Sequence, residues 1–293
     1  MNSLRGVGVA LITPFKKDGA VDFPALEKVV DYTITGGVDF LVVLGTTAES
    51  ATLNKEEKKA VIKCVKEVNG ERKPVVVGIG GNNTAQVVAD LRESDLTGIE
   101  AILSVTPYYN KPSQQGMYAH FKAIAEASPI PVILYNVPGR TGVNLNADTV
   151  LRLANEVPNI VAVKEASGNL GQAGYILRGR PEGFSVLSGE DNLTLGLISQ
   201  GGDGVISVVA NVFPKEFCKM VHVALKGDFV TAQAYFKRLQ EVTDALFEEG
   251  NPAGVKAALT LKGLIDNHLR LPLVPVSERV VQKIKNNIEK YSL

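Results

Sequence analysis

A lysine near the end of a short apolar segment is the residue best suited to covalent chemistry. Residues 160–168 read Ile-Val-Ala-Val-Lys-Glu-Ala-Ser-Gly, and the β-branched run predicts a buried strand. On that strand Lys164 shares a face with Ala162 and Ala166, whose small side chains leave room for a ligand. Burial favours a neutral amine, and a neutral amine can attack a carbonyl to form a Schiff base.

A structural role for Lys164 is the alternative interpretation. A strand-end lysine can reach solvent or pair with its neighbour Glu165, and such ion pairs are common in folded proteins. The types of residues at the ends of the other strands therefore distinguish a catalytic from a structural role for Lys164.

Short apolar segments alternate with amphipathic stretches along most of the 293 residues. Eight strand–helix units, with strands apolar on both faces, favour a closed parallel (β/α)₈ (TIM) barrel. An open doubly wound sheet is the alternative, but the first strand is not followed by Gly-x-Gly-x-x-Gly. Asn54 and Thr84 are predicted to cap the helices after the second and third strands. The predicted strands are residues 8–12, 40–44, 75–79, 101–105, 132–136, 160–165, 184–188 and 205–208.

The alternation stops after residue 226. Helices are predicted at 229–248, 252–267 and 277–291, with Gly, Asn and Pro residues between them. The sequence therefore predicts a catalytic barrel over residues 1–226 and a C-terminal helical domain over residues 227–293.

Composition excludes several classes of protein. The 31 basic and 31 acidic residues balance, so we expect neither a nucleic-acid nor a membrane-surface partner. No apolar run is long enough for a membrane helix, and no signal peptide is recognisable at the N-terminus. Cys64 and Cys218 are predicted to be core thiols of a reduced, cytoplasmic protein. His120, His222 and His268 lack metal-ligand spacing, so we expect no metal site.

Polar residues follow several of the predicted strands. Because barrel active sites lie at the carboxyl ends of the strands, these residues should meet around Lys164. Thr46 and Thr47 can bind a small carboxylate, Tyr135 can move a proton, and Arg140 can bind a second carboxylate through two hydrogen bonds. The strand-end segments are Gly-Thr-Thr-Ala-Glu-Ser (45–50), Thr-Pro-Tyr-Tyr-Asn-Lys-Pro (106–112), Tyr-Asn-Val-Pro-Gly-Arg-Thr-Gly (135–142) and Ser-Gly-Glu-Asp (188–191).

Other roles for these strand-end residues remain open. The threonines can cap a helix and the tyrosine pair can serve packing. The absence of a metal-ligand cluster argues against a metal-dependent aldolase. The absence of a glycine-rich loop after the last two strands argues against a phosphorylated substrate, and no carboxylate pair suggests a glycosidase.

At the segments 45–50, 108–112, 135–141 and 164–168 the chain resembles the dihydrodipicolinate synthase family of class I aldolases, along essentially its whole length. This resemblance implies condensation of pyruvate with L-aspartate 4-semialdehyde in lysine (diaminopimelate) biosynthesis. Lys164 would form the imine, so no cofactor is needed. Thr46 and Thr47 would hold the pyruvate carboxylate, with backbone groups near Gly189 and Ile206 lining the pocket.

The resemblance also implies a proton relay and an assembly. Tyr135, Thr46 and Tyr109 would form the relay, and Arg140 would bind the carboxylate of the semialdehyde. In the family, the tyrosine matching Tyr109 reaches across a dimer interface, and the usual assembly is a homotetramer built as a dimer of dimers.

Two other functions are weighed against this one. N-acetylneuraminate lyases and 2-keto-3-deoxy sugar acid aldolases share the Gly-Thr-Thr segment and the lysine, but the Arg140 motif is more specific to the synthases. A polyol substrate needs hydroxyl contacts instead of a second carboxylate clamp. A non-catalytic pyruvate-binding protein would form no imine.

Many members of the family are inhibited by L-lysine at an interface cleft. Inhibited relatives tend to carry histidine or an acid at the positions of Lys55 and Lys58, and an acid at Gln86. Two protein ammonium groups would repel the ligand's own, so weak or absent inhibition is predicted. The matching effector-site positions are Ser50, Ala51, Lys55, Lys58, Asn82, Gln86 and Tyr108.

Overall fold

The apolar segments form parallel strands in chain order. The computed structural model describes residues 4–293. Strands β1 to β8 pair in sequence order and close into a barrel, which confirms the predicted (β/α)₈ fold. Each predicted strand is present; β4, β5 and β6 have the predicted bounds, and the ends of the others differ by at most two residues. The strands are β1 (Gly6–Ala10), β2 (Phe40–Val43), β3 (Val75–Gly78), β4 (Ala101–Val105), β5 (Val132–Asn136), β6 (Ile160–Glu165), β7 (Ser185–Ser188) and β8 (Gly204–Ser207).

Helices follow the strands and continue after β8, as predicted. A short helix after β5 was not predicted. The helices are α1 (Phe23–Thr35), α2 (Lys55–Asn69), α3 (Thr84–Glu93), α4 (Gln114–Ala127), α5 (Pro138–Thr141), α6 (Ala147–Glu156), α7 (Leu170–Gly179), α8 (Thr194–Ser199), α9 (Pro214–Leu225), α10 (Phe229–Phe247), α11 (Ala253–Leu261) and α12 (Glu278–Tyr291). No helix within residues 4–293 is long and apolar enough to span a membrane.

One of the two predicted helix caps is present, and the other is not. Asn54 caps α2 in a reciprocal capping box with Glu57, as predicted. The predicted cap of α3 at Thr84 is wrong, because the Asn83 side chain accepts the Gln86 N–H at 3.3 Å. The amide oxygen of Asn83 therefore satisfies a free N–H of the first turn, and Thr84 is already helical.

The helix predicted over residues 252–267 ends early, at Leu261. Gly263 adopts a left-handed conformation at φ +71°, and its N–H donates to the Thr260 carbonyl at 2.9 Å. The next N–H, of Leu264, turns back to the Leu259 carbonyl at 3.1 Å. These bonds satisfy the last carbonyls of the helix, which is how a glycine commonly ends one.

Two compact units are distinguished within the chain. The first contains residues 4–5 and 74–206, with a core that includes Phe121, Ile124 and Val163. The second contains residues 6–73 and 207–293, and its largest buried side chains include Phe15, Phe40 and Phe217. The domain boundary predicted between residues 226 and 227 remains a prediction, and the first three residues of that barrel domain lie outside the described part.

Both cysteines are free and buried, as predicted for core thiols. Burial raises the pKa of the Cys64 thiol to about 11, and it also raises the pKa of Cys218. Both thiols are therefore protonated at neutral pH, in keeping with a packing role.

Candidate active site

Lys164 lies near the carboxyl end of β6 and is only 6% exposed. The backbone register pairs it with Tyr135 on β5, so both side chains lie at the same level of the barrel. The Lys164 Nζ atom is 4.4 Å from the centre of the Tyr135 ring. The amine therefore lies over the ring that carries the Tyr135 phenol group. Lys164 and Tyr135 are therefore neighbours in the structure, and their roles as nucleophile and proton-transfer group stay predictions.

Glu165 is engaged by amide groups instead of by Lys164. Its carboxylate accepts from Asn136 Nδ2 at 3.1 Å, from the Ser167 N–H at 2.8 Å and from Gln172 Nε2 at 2.9 Å. Adjacent strand residues point to opposite faces, so this network lies on the other side of β6. The alternative role of Lys164, as the ion-pair partner of Glu165, therefore has no support in the structure.

Gly189 packs closely against Ala166 and Lys164. A Cβ atom built at this position would lie 2.5 Å from the Ala166 Cβ and 3.1 Å from the Lys164 Cε. A side chain at position 189 would therefore clash with Ala166 and push against the Lys164 side chain, so glycine allows this close approach. Ile206, also predicted to line the pocket, is buried on β8 with 1% of its surface exposed.

Arg140 lies on α5 and is exposed. Gly142 ends this single turn at φ +73°, and the Thr141 hydroxyl donates to the Val143 carbonyl at 2.9 Å. These contacts hold the segment just beyond the end of β5. Arg140 is therefore on the same strand-end segment as Tyr135, five residues further along the chain.

Glu190 is a residue to which the sequence analysis assigned no role. It follows Gly189 and is half-buried. Burial and the neighbouring Asp191 raise the pKa of its carboxyl group, while the charges of Lys164 and Arg140 act in the opposite direction. This electrostatic coupling places an acidic group in the field of both predicted cations. Its position directly after β7 is the signal that could have identified it.

The loop after β4 presents two tyrosines to solvent. Tyr108 is 42% exposed and Tyr109 is 89% exposed, with Tyr109 in a left-handed conformation at φ +73°. The Tyr108 carbonyl accepts from Asn82 Nδ2 at 3.1 Å, which brings together two predicted effector-site residues. Gln86, a third, donates from Nε2 to Asp90 Oδ1 at 2.9 Å.

The turn after β2 belongs to the second compact unit. Thr46 begins a short 3₁₀ helix and is half-buried, whereas Thr47 is 3% exposed and accepts from Asn251 Nδ2 at 2.9 Å. Ser50 and Ala51 form the next 3₁₀ turn. The remaining predicted effector-site residues, Lys55 and Lys58, lie in the first turn of α2.

A buried ion pair supports this turn, and sequence reasoning did not find it. Lys256 Nζ lies 2.5 Å from Glu49 Oε1, and both side chains are fully buried. Burial lowers the pKa of Lys256 to about 8, and Glu49 opposes that shift. A lysine inside the apolar run Val255–Leu259 was the available signal, since a lysine is rarely buried without a partner.

Residues 4–293 contain no group of three or more histidine, cysteine, aspartate or glutamate side chains placed to hold a metal ion. His120 is buried, shares a hydrogen bond with the Thr84 hydroxyl at 2.8 Å, and has its pKa lowered to about 4 by burial. It is therefore a neutral residue that packs between α3 and α4.

Known proteins match the chain over nearly its whole length. The dihydrodipicolinate synthetase family model matches residues 3–291. A 4-hydroxy-tetrahydrodipicolinate synthase from Azobacteroides pseudotrichonymphae is 57% identical over 282 residues, covering 96% of this chain and 95% of the relative.

Solved structures agree with that match. A dihydrodipicolinate synthase variant described as monomeric has a TM-score of 0.96 and 41% identity, with coverage of 99% of this chain and 97% of its own. A dihydrodipicolinate synthase from Cyanidioschyzon merolae with lysine bound has a TM-score of 0.95 and 40% identity, with coverage of 99% and 98%. The chain belongs to the dihydrodipicolinate synthetase family.

Proposed function

We propose that this chain condenses pyruvate with L-aspartate 4-semialdehyde to give 4-hydroxy-tetrahydrodipicolinate, a step of lysine biosynthesis through diaminopimelate. The observation that carries the proposal is the buried Lys164 amine, 4.4 Å from the Tyr135 ring centre. Gly189, which lacks a side chain, lets the strand-end backbone lie close to the Lys164 side chain. Membership of the family supports the same reaction.

The first half of the reaction activates pyruvate. The Lys164 amine attacks the keto carbon, and loss of water leaves an imine that is covalent with the protein. Removal of a proton from the methyl group then gives an enamine. Tyr135, Thr46 and Tyr109 carry these protons as a relay, while Thr46 and Thr47 hold the pyruvate carboxylate. The imine supplies the electron sink, so the reaction uses no resident cofactor or metal ion.

The second half joins the two substrates. The enamine carbon attacks the aldehyde, a carbon–carbon bond forms, and the relay protonates the new hydroxyl oxygen. The amino group of the semialdehyde portion then attacks the imine carbon, which closes the ring and releases the Lys164 amine. Arg140 binds the carboxylate of the semialdehyde through two parallel hydrogen bonds.

Arg140→Ala should separate the two halves of the reaction. We expect the KM for the aldehyde to rise roughly tenfold or more, because a charge-assisted hydrogen-bond pair is lost. Pyruvate imine formation should be unchanged, since Arg140 does not hold pyruvate. A coupled assay with varied aldehyde, together with borohydride trapping of the imine, measures both quantities.

Two variants provide the controls for this experiment. Arg178→Ala removes an arginine that packs on Tyr175, with 5.1 Å from its Cζ to the ring centre, and it should leave both quantities unchanged. Arg140→Lys keeps the charge but loses the paired geometry, so it should recover the aldehyde KM only in part. Unaltered aldehyde kinetics in Arg140→Ala would instead favour the related lyases that act on sugar acids.

The proposal also covers the cellular location, the domains and the subunit assembly of the enzyme. We propose a cytoplasmic enzyme with a catalytic barrel over residues 1–226 and a helical domain over residues 227–293, acting as a homotetramer built from dimers. The support for assembly is Tyr109, which is 89% exposed although the relay needs its phenol. A partner subunit would bury this side chain and bring it to the site.

Co-assembly of two inactive variants tests the assembly. Lys164→Ala lacks the nucleophile, and Tyr109→Phe lacks the relay hydroxyl. If Tyr109 acts in the neighbouring subunit, a mixed dimer contains one site that carries neither change, and we expect activity to return in part. Mixed assembly is verified by differently tagged chains. Proven mixed dimers without activity would show that Tyr109 acts within its own subunit.

Inhibition by L-lysine is expected to be weak or absent. Lys55 and Lys58 supply positive charge at the proposed effector site, and Gln86 donates its amide hydrogen to Asp90 at 2.9 Å. A diammonium ligand would therefore meet repulsion from the two lysines, and the neutral Gln86 adds no compensating charge.

A dose–response curve at saturating pyruvate measures the inhibition. Clear inhibition by sub-millimolar lysine would prove the charge argument wrong. The double change Lys58→His with Gln86→Glu should move the protein toward lysine binding, which calorimetry detects directly. The single change Lys63→His, on an exposed part of α2, is the control and should bind no lysine.

A further inference from the structure

We propose that Asn251 is a positioning residue that directs the Thr47 hydroxyl hydrogen toward the carboxylate of pyruvate. The inference rests on the proposed function and adds a residue to it. Asn251 lies two residues before α11, and its Nδ2 donates to Thr47 Oγ1 at 2.9 Å. Both residues are buried, with 9% and 3% of their surfaces exposed, so water competes little for this bond.

The direction of the hydrogen bond determines what Thr47 can do. A threonine hydroxyl has one hydrogen and two acceptor lone pairs. Because Asn251 donates to the oxygen, one lone pair is occupied and the hydrogen of Thr47 is left for another acceptor. A carboxylate accepts hydrogen bonds and donates none. Asn251 thus makes Thr47 a donor for an anionic ligand.

The turn that carries Thr47 has an unusual backbone. Leu44 and Glu49, on either side of the 3₁₀ helix Thr46–Ala48, have left-handed φ values of +59° and +53°. Side chains with a Cβ atom rarely adopt this conformation, which costs energy and persists only when surrounding contacts impose it. The turn therefore needs anchors outside itself.

The anchors come from the same C-terminal segment that supplies Asn251. The Glu49 carboxylate pairs with Lys256 Nζ at 2.5 Å and accepts the Arg270 N–H at 3.0 Å. Lys256 also donates to the His268 carbonyl at 2.9 Å and lies 4.2 Å from the centre of the Phe15 ring. These contacts hold the turn in place, so that the short Asn251 side chain stays within reach of Thr47.

Asn251→Asp tests the direction of the bond. The ionised side chain has nearly the same shape but no hydrogen to donate, so it would accept the Thr47 hydroxyl hydrogen and turn it away from pyruvate. We expect the pyruvate concentration for half-maximal borohydride trapping on Lys164 to rise roughly tenfold or more. Asn251→Ala, which only removes the donor, should cause a smaller rise.

Thermal unfolding and a remote control separate positioning from stability. Arg180→Met breaks the Arg180–Asp203 ion pair, which lies before β7 and β8 at the opposite ends of the strands. It should lower the unfolding temperature without changing the pyruvate dependence. If Asn251→Asp does not fold, Asn251→Ala is compared with Arg180→Met. The inference then requires a higher pyruvate concentration for half-maximal trapping in Asn251→Ala than in Arg180→Met.

Three other outcomes of this experiment would contradict the inference. Equal effects of aspartate and alanine would show that packing matters and that the direction of the bond does not. Unchanged pyruvate dependence in both variants would show that Asn251 does not position Thr47. Failure of the unsubstituted chain to form any imine would overturn the proposed function itself, and this inference with it.

Discussion

Lys164→Met is expected to abolish condensation, with a loss on the order of 10⁴-fold or more, because the covalent nucleophile is removed. Methionine matches the lysine side chain as far as Cε and lacks the amine, so the buried site should still pack. Borohydride treatment with pyruvate should add a reduced pyruvyl group to Lys164 in the unsubstituted chain and to no residue in the variant. Peptide mass spectrometry locates the adduct.

Lys256 makes this experiment specific. Lys164 and Lys256 are the two buried lysines within residues 4–293, but the Lys256 amine is paired with Glu49 and bonded to the His268 carbonyl. A keto acid cannot reach an amine that is buried and bonded in this way. Pyruvate attached to Lys256, to another lysine or to none would prove the assignment of the nucleophile wrong.

Tyr135→Phe is expected to reduce turnover by roughly 10²-fold or more, the usual contribution of a positioned proton-transfer group. The change is conservative in shape, since phenylalanine keeps the ring whose centre lies 4.4 Å from the Lys164 amine. Only the hydroxyl is lost. The steps that move protons should slow, and steady-state kcat in the coupled assay measures the effect.

A remote tyrosine provides the matched control. The Tyr118 hydroxyl donates to Glu156 at 2.6 Å on the helical layer of the first compact unit, so Tyr118→Phe also removes one phenol oxygen. It should leave kcat unchanged. A Tyr135→Phe variant that keeps turnover close to the unsubstituted level would remove Tyr135 from the relay.

The strand order and the helices follow from local patterns. Buried β-branched runs such as Ile160–Glu165 recur eight times with amphipathic stretches between them, and this period is present in the chain before any folding. The Asn54 cap was also predictable, because its partner Glu57 is only three residues away. Signals of this kind depend on neighbours in sequence.

At two helix ends the sequence offers competing signals, and the backbone conformation shows which one prevails. Asn83 and Thr84 are both good capping residues, and the sequence offers no means to rank them. The helix predicted to reach residue 267 could have continued past Gly263, since the apolar pattern continues. The left-handed turn at φ +71° ended it. Such helix boundaries depend on small free-energy differences between starting or ending the helix at adjacent residues.

The amino-acid sequence by itself determined which residue types stand at the strand ends, and hence the lysine, tyrosine and arginine of the candidate site. The tertiary structure alone decided which residues support the turn after β2, because its partners come from distant parts of the chain. Asn251 is 204 residues from Thr47, and the Lys256–Glu49 pair joins segments equally far apart. No periodicity links such positions, and only the packing of the C-terminal helices against the turn after β2 brings them into hydrogen-bond distance.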